Sequence, residues 1–216
     1  DEDRRDRTRQ TDRLTDERAR HHSAPDTMSK PGTNQVDVEI RGDGVAVVVL
    51  DHFPLNTLSN NLQLGIEAAA EKIAADKSVK AVVVRGAGNR AFCAGADVVD
   101  LNKQHDKRAK KRFTEYFEPL NVPVVAAIQG FALGGGLELA LSCHYRVIAD
   151  NGAVGLPEVN IGLLPGGEGT QRLPRVAGAK LALDLMVSGQ HVPAPGALKM
   201  KVVDAVFPAA KLIDEA

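Results

Sequence analysis

The stretch Ile128 to His144, I-Q-G-F-A-L-G-G-G-L-E-L-A-L-S-C-H, decides how the rest of the chain is read. The apolar run Val122 to Ile128 leads into it as a buried strand. Three consecutive glycines follow, and Leu137, Leu139, Ala140 and Leu141 continue with helix-like spacing. The pattern predicts a strand, a glycine turn and a helix start. Glycine at 134, 135 and 136 allows dihedrals and close approaches that a side chain forbids. With Gly135 at the helix N-terminus, its N–H has no partner inside the helix and points outward with the positive end of the helix dipole behind it. Glu138 falls in the first turn of the same helix. A carboxylate beside a donor for developing negative charge suits proton transfer next to a carbonyl.

Outward from this stretch, strand and helix signals alternate. Val36 to Ile40 alternates apolar and polar, Val45 to Leu50 is continuously apolar, and Gly42-Asp43-Gly44 between them reads as a hairpin turn. Leu62 to Ile73 has helical spacing and ends near Asp76; Val79 to Val84 is a second buried strand, and Arg85 to Arg90 a glycine-containing turn. Leu101 to Phe117 is charged and predicts a helix. Downstream, Tyr145 to Ala149 reads as a strand and Gly152 to Gly169 as a Gly- and Pro-rich loop. Helices are expected over Thr170 to Val176 and Ala179 to Val187, a strand over Val202 to Val206, and a last helix beginning at Leu212 and Ile213. This alternation predicts an α/β domain. The stop directly after a helix start predicts a domain that is C-terminally incomplete.

Asp1 to Gln35 has another texture: arginines and acids in nearly equal measure, few large apolar residues, then Ser, Pro and Gly. Such a segment cannot bury enough surface to fold alone, so residues 1–35 are expected to be a disordered extension and 36–216 the domain. The extension is too acidic for a mitochondrial transit peptide and has no apolar middle for a secretory signal; Met28 reads as a natural start. At 216 residues, 44% hydrophobic and 25% charged, the composition is globular, and no apolar run approaches the roughly 20 residues of a membrane helix. A formal net charge of -1 makes no case for nucleic acid or anionic lipid. Two cysteines, Cys93 and Cys143, form no disulfide framework or metal motif, which fits a reducing compartment, and their apolar settings predict packed core thiols.

Several motifs read in more than one way. Gly86-Ala87-Gly88-Asn89-Arg90-Ala91 matches a dinucleotide fingerprint after a strand, but no helix opens at Phe92 to Gly95 and no acid-ended strand follows. Phe92 to Asp97, F-C-A-G-A-D, reads as a tight turn; its Ala-Gly-Ala core also exposes backbone N–H groups, and Ala96 would supply the partner that Gly135 needs in an oxyanion hole. Glu158 sits in a Gly- and Pro-rich loop, where a carboxylate is ordinarily solvated, and spacing alone does not bring it to Glu138. The run Lys107 to Arg112 suits a phosphate, but with Asp106 and Glu115 nearby it reads as a solvated helix face. His52, His105, His144 and His191 have no metal or triad spacing, and without G-x-S-x-G a serine hydrolase is not indicated.

Three ordered segments, A-F-C-A-G-A-D (Ala91 to Asp97), P-V-V-A-A-I-Q-G-F-A-L-G-G-G-L-E-L-A (Pro123 to Ala140) and G-L-P-E-V-N-I-G-L-L-P-G (Gly155 to Gly166), resemble the enoyl-CoA hydratase/isomerase, or crotonase, family. The likeness runs from about Val45 to the C-terminus. It is nearest to the N-terminal part of the multifunctional fatty-acid oxidation enzymes of peroxisomal type. It implies a repeated ββα spiral, completed in the family by a C-terminal helical trimerisation region that is missing after Ala216 and that later domains replace in the multifunctional members.

By resemblance, Ala96 and Gly135 are the two backbone donors to a thioester oxygen, and Glu138 and Glu158 the carboxylates that position and activate water. Leu55, Thr57, Ala94, Gly95, Ala96, Asp97, Val98, Val99, Gly134 and Gly135 fall in the acyl-CoA groove. Both glutamates together imply a hydratase of β-oxidation with 3,2-enoyl-CoA isomerase activity. No metal or redox cofactor is implied, because the coenzyme A thioester is the substrate. The alternative is a silent acyl-CoA-binding or scaffold member of the fold. A homotrimer or a longer multifunctional chain is expected, in the cytoplasm or peroxisome and not secreted. Glu168, in P-G-G-E-G-T, departs from relatives that often carry a basic or small residue there.

Overall fold

The structure, a computed structural model, describes residues 35–101, 103 and 108–216. The expected disordered extension therefore lies, up to residue 34, outside the described residues, as do His105 and Lys107. Strands β1 (Val36–Ile40) and β2 (Val45–Leu50) form the expected antiparallel hairpin, Ile40 opposite Ala46, with Asp43 Oδ1 accepting the Val45 N–H at 2.9 Å in the turn. Strands β3 (Ala81–Gly86), β5 (Val124–Ile128), β7 (Tyr145–Ala149) and β10 (Ala205–Phe207) extend the sheet in the order β1-β2-β3-β5-β7-β10, all parallel after β2. Their runs are apolar on both faces because both faces are covered, as parallel sheets require. Val82 and Val84 join the main core, while Val83 faces Ala127, Val147, Ala149 and Leu212 in a second cluster.

A second, smaller sheet is built from β4 (Ala91–Cys93), β6 (Phe131–Leu133) and β8 (Ala153–Gly155), parallel to one another, with β9 (Val192–Pro193) antiparallel to β8. From β3 onward the chain steps from the large sheet to the small one at each turn, β3 to β4, β5 to β6 and β7 to β8, before entering helical structure. This is a ββα spiral. Its consequence for chemistry is geometric: three adjacent parallel strands end on one edge, so the segments that follow them meet there, as ligand sites in parallel sheets do.

The helices are α1 (Asn60–Ala75), α2 (Val98–Leu101), α3 (Gly135–Leu141), α4 (Gly169–Ala177), α5 (Ala179–Ser188), α6 (Ala194–Lys199) and α7 (Leu212–Glu215). In α1, Ser59 caps the Leu62 N–H at 3.1 Å, and Leu62, Ile66, Ala69, Ala70 and Ile73 form the buried stripe. Among the described residues no helix is long and apolar enough to cross a membrane.

Three expectations differ: the strand expected over Val202 to Val206 forms only at Ala205–Phe207, the loop expected over Gly152 to Gly169 holds β8 and a 3-10 turn at Pro157–Ile161, and the charged segment is broken. Leu101 to Phe117 is not a continuous helix: α2 ends at Leu101, residues 108–112 are irregular, and Phe113–Glu115 is a single 3-10 turn. The charge pattern is satisfied between elements instead, since Lys110 Nζ reaches Glu71 at 3.0 Å and Glu67 at 3.5 Å on α1.

Candidate functional site

Each of the three parallel strands of the small sheet delivers one piece of the site. After β4 comes Ala94 to Ala96, after β6 Gly134 and Gly135, and after β8 Leu156 to Glu158. A strap at 55–58 fixes the first piece: Ala94 N–H donates to the Leu55 carbonyl at 3.0 Å, and Leu58 N–H to that of Gly95 at 2.8 Å. Asn56 anchors the strap. It is 2% exposed, and its Nδ2 donates to the carbonyls of Ala91 at 2.8 Å and Ala87 at 3.1 Å, while its Oδ1 accepts the His52 N–H at 3.1 Å.

The glycine triple lets α3 start against this strap. A Cβ at residue 135 would stand 2.7 Å from Leu58 Cδ1, and one at residue 136 would stand 1.9 Å from the Cys93 carbonyl oxygen. The Ala96 and Gly135 turns touch, because a Cβ at residue 95 would lie 3.4 Å from the Gly135 nitrogen. Among the described residues, neither the Ala96 nor the Gly135 N–H donates a hydrogen bond. The first α3 bond runs from Glu138 N–H to the Gly134 carbonyl at 3.0 Å, which leaves the Gly135 amide as a helix-terminal donor.

Glu138 is 2% exposed, and its Oε1 accepts two backbone N–H groups, from Gly167 at 2.8 Å and Gly169 at 2.7 Å. Burial pushes its carboxyl above the usual range; the Gly169 and Gly167 N–H groups pull it back, the charge of Glu168 adds to the rise and that of Arg112 opposes it. Glu158 is differently placed. Its Oε2 is buried and has no hydrogen-bond partner among the described residues. Burial again is the main cause that raises its carboxyl, its own backbone N–H counteracts, and the charge of Glu138 raises it further. An unpartnered buried carboxylate oxygen is costly, so this site favours a proton or a polar ligand atom there.

Both carboxylates face one cavity of about 540 Å³, shared with Ala96, Gly135 and Phe113. Of the other sequence-predicted groove residues, Ala94, Gly95, Val98 and Gly134 line it. Asp97 instead lines an adjoining pocket of about 470 Å³ with Arg108, Lys110, Lys111 and Arg112, and the two spaces share Leu58 and Gln63. Residues 108–112 of the basic run are thus the wall of a pocket and not a helix face. Leu55, Thr57 and Val99 line neither space. Leu55 acts through its carbonyl in the strap, Thr57 Oγ1 donates to Asp97 Oδ2 at 3.4 Å, and Val99 is 74% exposed.

Sequence reading missed Phe113, whose ring tip would meet a Cβ at residue 167 at 2.5 Å and one at residue 135 at 3.4 Å, and it missed the Gly167 and Gly169 donors. Glycines flanking an acid in P-G-G-E-G-T were the available signal for the donors; nothing marked Phe113. Glu168 does not line the cavity. Its carboxylate is held behind it by Arg172, Thr114 and Arg112. Cys93 and Cys143 are packed core thiols, each pushed up to about 12 by burial.

Residues 41–216 match the family model described as enoyl-CoA hydratase/isomerase. The chain is similar to the fatty acid oxidation complex subunit alpha of Shewanella amazonensis, 46% identical over 188 residues that cover 82% of this chain and 26% of that protein. It is also similar to the peroxisomal bifunctional enzyme of Cavia porcellus, 42% identical over 171 residues covering 75% of this chain and 23% of that one. The chain thus spans about a quarter of the length of these relatives. Among solved structures it resembles an enoyl-CoA hydratase from Bacillus anthracis, with TM-score 0.78, 32% identity, and 84% of this chain and 73% of that one covered. An enoyl-CoA hydratase from Mycobacterium tuberculosis is similar at TM-score 0.78 and 30% identity, with 85% and 73% covered.

Proposed function

Because the chain belongs to the enoyl-CoA hydratase/isomerase family, we propose that it adds water to trans-2-enoyl-CoA to give 3-hydroxyacyl-CoA in fatty-acid β-oxidation, and that the same site shifts 3-enoyl to 2-enoyl double bonds. The observation that carries this reading is the pairing of a buried carboxylate, Glu138, with a half-buried one, Glu158, on a cavity edged by two amides that have no partner among the described residues.

Addition of water at C3 builds negative charge on the thioester carbonyl oxygen. The Ala96 and Gly135 N–H groups receive that oxygen, and a donor of this kind is worth about 3 kcal/mol in the transition state. The environments of the two glutamates divide the proton work. Glu138, whose Oε1 accepts two N–H groups, is the better-stabilised anion and takes the proton from water. Glu158, with a buried oxygen that has no partner among the described residues, is the better proton carrier and delivers a proton to C2. Isomerisation places a dienolate oxygen on the same two amides: a C2 proton leaves the 3-enoyl thioester and one returns at C4.

The adjoining pocket, with Arg108, Lys111 and Arg112 in its wall, supplies positive charge for the coenzyme A phosphates. The chemistry as drawn calls on no metal or redox cofactor. We also propose that the domain works within a larger assembly, a homotrimer or a longer multifunctional chain, in the cytoplasm or peroxisome. The words "complex" and "bifunctional" in the relatives' names support the assembly, and "peroxisomal" one of the compartments.

The test is hydration of crotonyl-CoA, followed as loss of the conjugated thioester absorbance. Turnover supports the reading; tight acyl-CoA binding without turnover overturns it and leaves a silent binding member of the fold.

A further inference from the structure

The turn that carries the Glu138 donors has an unusual centre. Gly167 and Gly169 both aim their N–H groups at Glu138 Oε1, at 2.8 and 2.7 Å, and the residue between them, Glu168, is left-handed, with φ 74° and ψ 14°. A left-handed residue flanked by converging N–H groups is the backbone nest that grips anions. Nests favour glycine at this position, because a side chain in left-handed backbone crowds the following carbonyl. Here the side chain is a glutamate, and it is clamped. Arg172 Nε and Nη2 both donate to Glu168 Oε2, at 3.0 and 2.8 Å, Thr114 Oγ1 donates to the same oxygen at 3.3 Å, and Arg112 Nη1 lies 3.8 Å from Oε1. Arg172 is itself tied to Glu118 at 2.9 Å and to the Thr114 carbonyl at 3.3 Å.

We propose that Glu168 is a positioning residue: its ion pair with Arg172 holds residue 168 left-handed, and so holds the Gly167 and Gly169 amides on the carboxylate of Glu138. The inference rests on the reading of Glu138 as the group that takes the proton from water. It accounts for an acidic residue placed between the two donors of a site that already holds two carboxylates. Its charge faces away into the arginines, while its backbone serves the site.

The test compares Glu168→Ala with Glu168→Gly. Both remove the same charge and the same ion pair, and only glycine takes the left-handed conformation without a clamp. Glu168→Ala is expected to lower kcat on crotonyl-CoA between about tenfold and a hundredfold with KM little changed, the usual scale for displacing a reacting group by about 1 Å. Glu168→Gly is expected to recover most of that loss. The amide protons of Gly167 and Gly169, shifted downfield by the carboxylate in the parent, should move upfield in the alanine variant and return in the glycine variant. Parental kcat and unmoved amide shifts in Glu168→Ala overturn the proposal, as does a glycine variant as impaired as the alanine one. If the parent itself does not hydrate crotonyl-CoA, the functional reading fails, and the amide shifts still decide the positioning role by the same comparison.

Discussion

Gly134 forms the floor beneath Glu158: a Cβ at residue 134 would stand 3.0 Å from Glu158 Oε1. Gly134 also has φ 52° and ψ -127°, a region that L residues with side chains rarely occupy. Both constraints act on Gly134→Ala. The variant is expected to lose about 1–3 kcal/mol of stability from strain alone, and to displace the carboxyl of Glu158 from the cavity. Chemical denaturation checks the first effect. A fall in kcat larger than the change in KM checks the second.

Glu138→Gln and Glu158→Gln should each lower kcat by about a hundredfold or more, the scale of losing a positioned acid or base. The glutamine carbonyl at residue 138 can still accept from Gly167 and Gly169, so the fold should survive and acyl-CoA binding should change little. Steady-state kinetics beside direct binding of a saturated acyl-CoA separates the two quantities.

The pH profile should be bell-shaped with both limbs above the usual carboxylate range, because burial raises both carboxyls. Rate rises as Glu138 gives up its proton and falls as Glu158 gives up its own. In Glu158→Gln the residual rate should keep the rising limb and lose the falling one.

In Glu158→Gln, stability should move the other way from activity. A carboxyl whose pKa is higher folded than unfolded contributes its full stabilisation below the unfolded value, and loses it as pH rises through the folded value. Glu158 is such a group. Glu158→Gln is therefore expected to raise the melting temperature relative to the parent at neutral and alkaline pH, with the advantage shrinking as pH falls below the folded-state value. Melting curves across that range give the comparison.

What sequence revealed, and what it hid, follows from the lengths of the elements. The five- and six-residue runs at 45–50, 124–128 and 145–149 announce themselves because both faces are buried. Strands β4, β6 and β8 have three residues each, too few for any period, so the second sheet was invisible. That sheet is what brings residues 96, 135 and 158 together. Gly135 and Glu138 were legible because they share one continuous segment; the approach of Glu158 was not, since spacing does not encode which strand ends become neighbours, and only the family resemblance indicated it. The charged run at 107–112 suggested a helix because its partners fall at helical spacing. Lys110 instead pairs with Glu67 and Glu71, some forty residues away in sequence on α1.

The account depends most on the Ala96 and Gly135 amides gripping one thioester oxygen, and the infrared carbonyl stretch of bound butyryl-CoA reads that contact directly. This saturated thioester cannot be hydrated, so it reports the ground-state grip alone. The account predicts a bound carbonyl frequency below that of the free thioester in water. A bound carbonyl at the free frequency would contradict it.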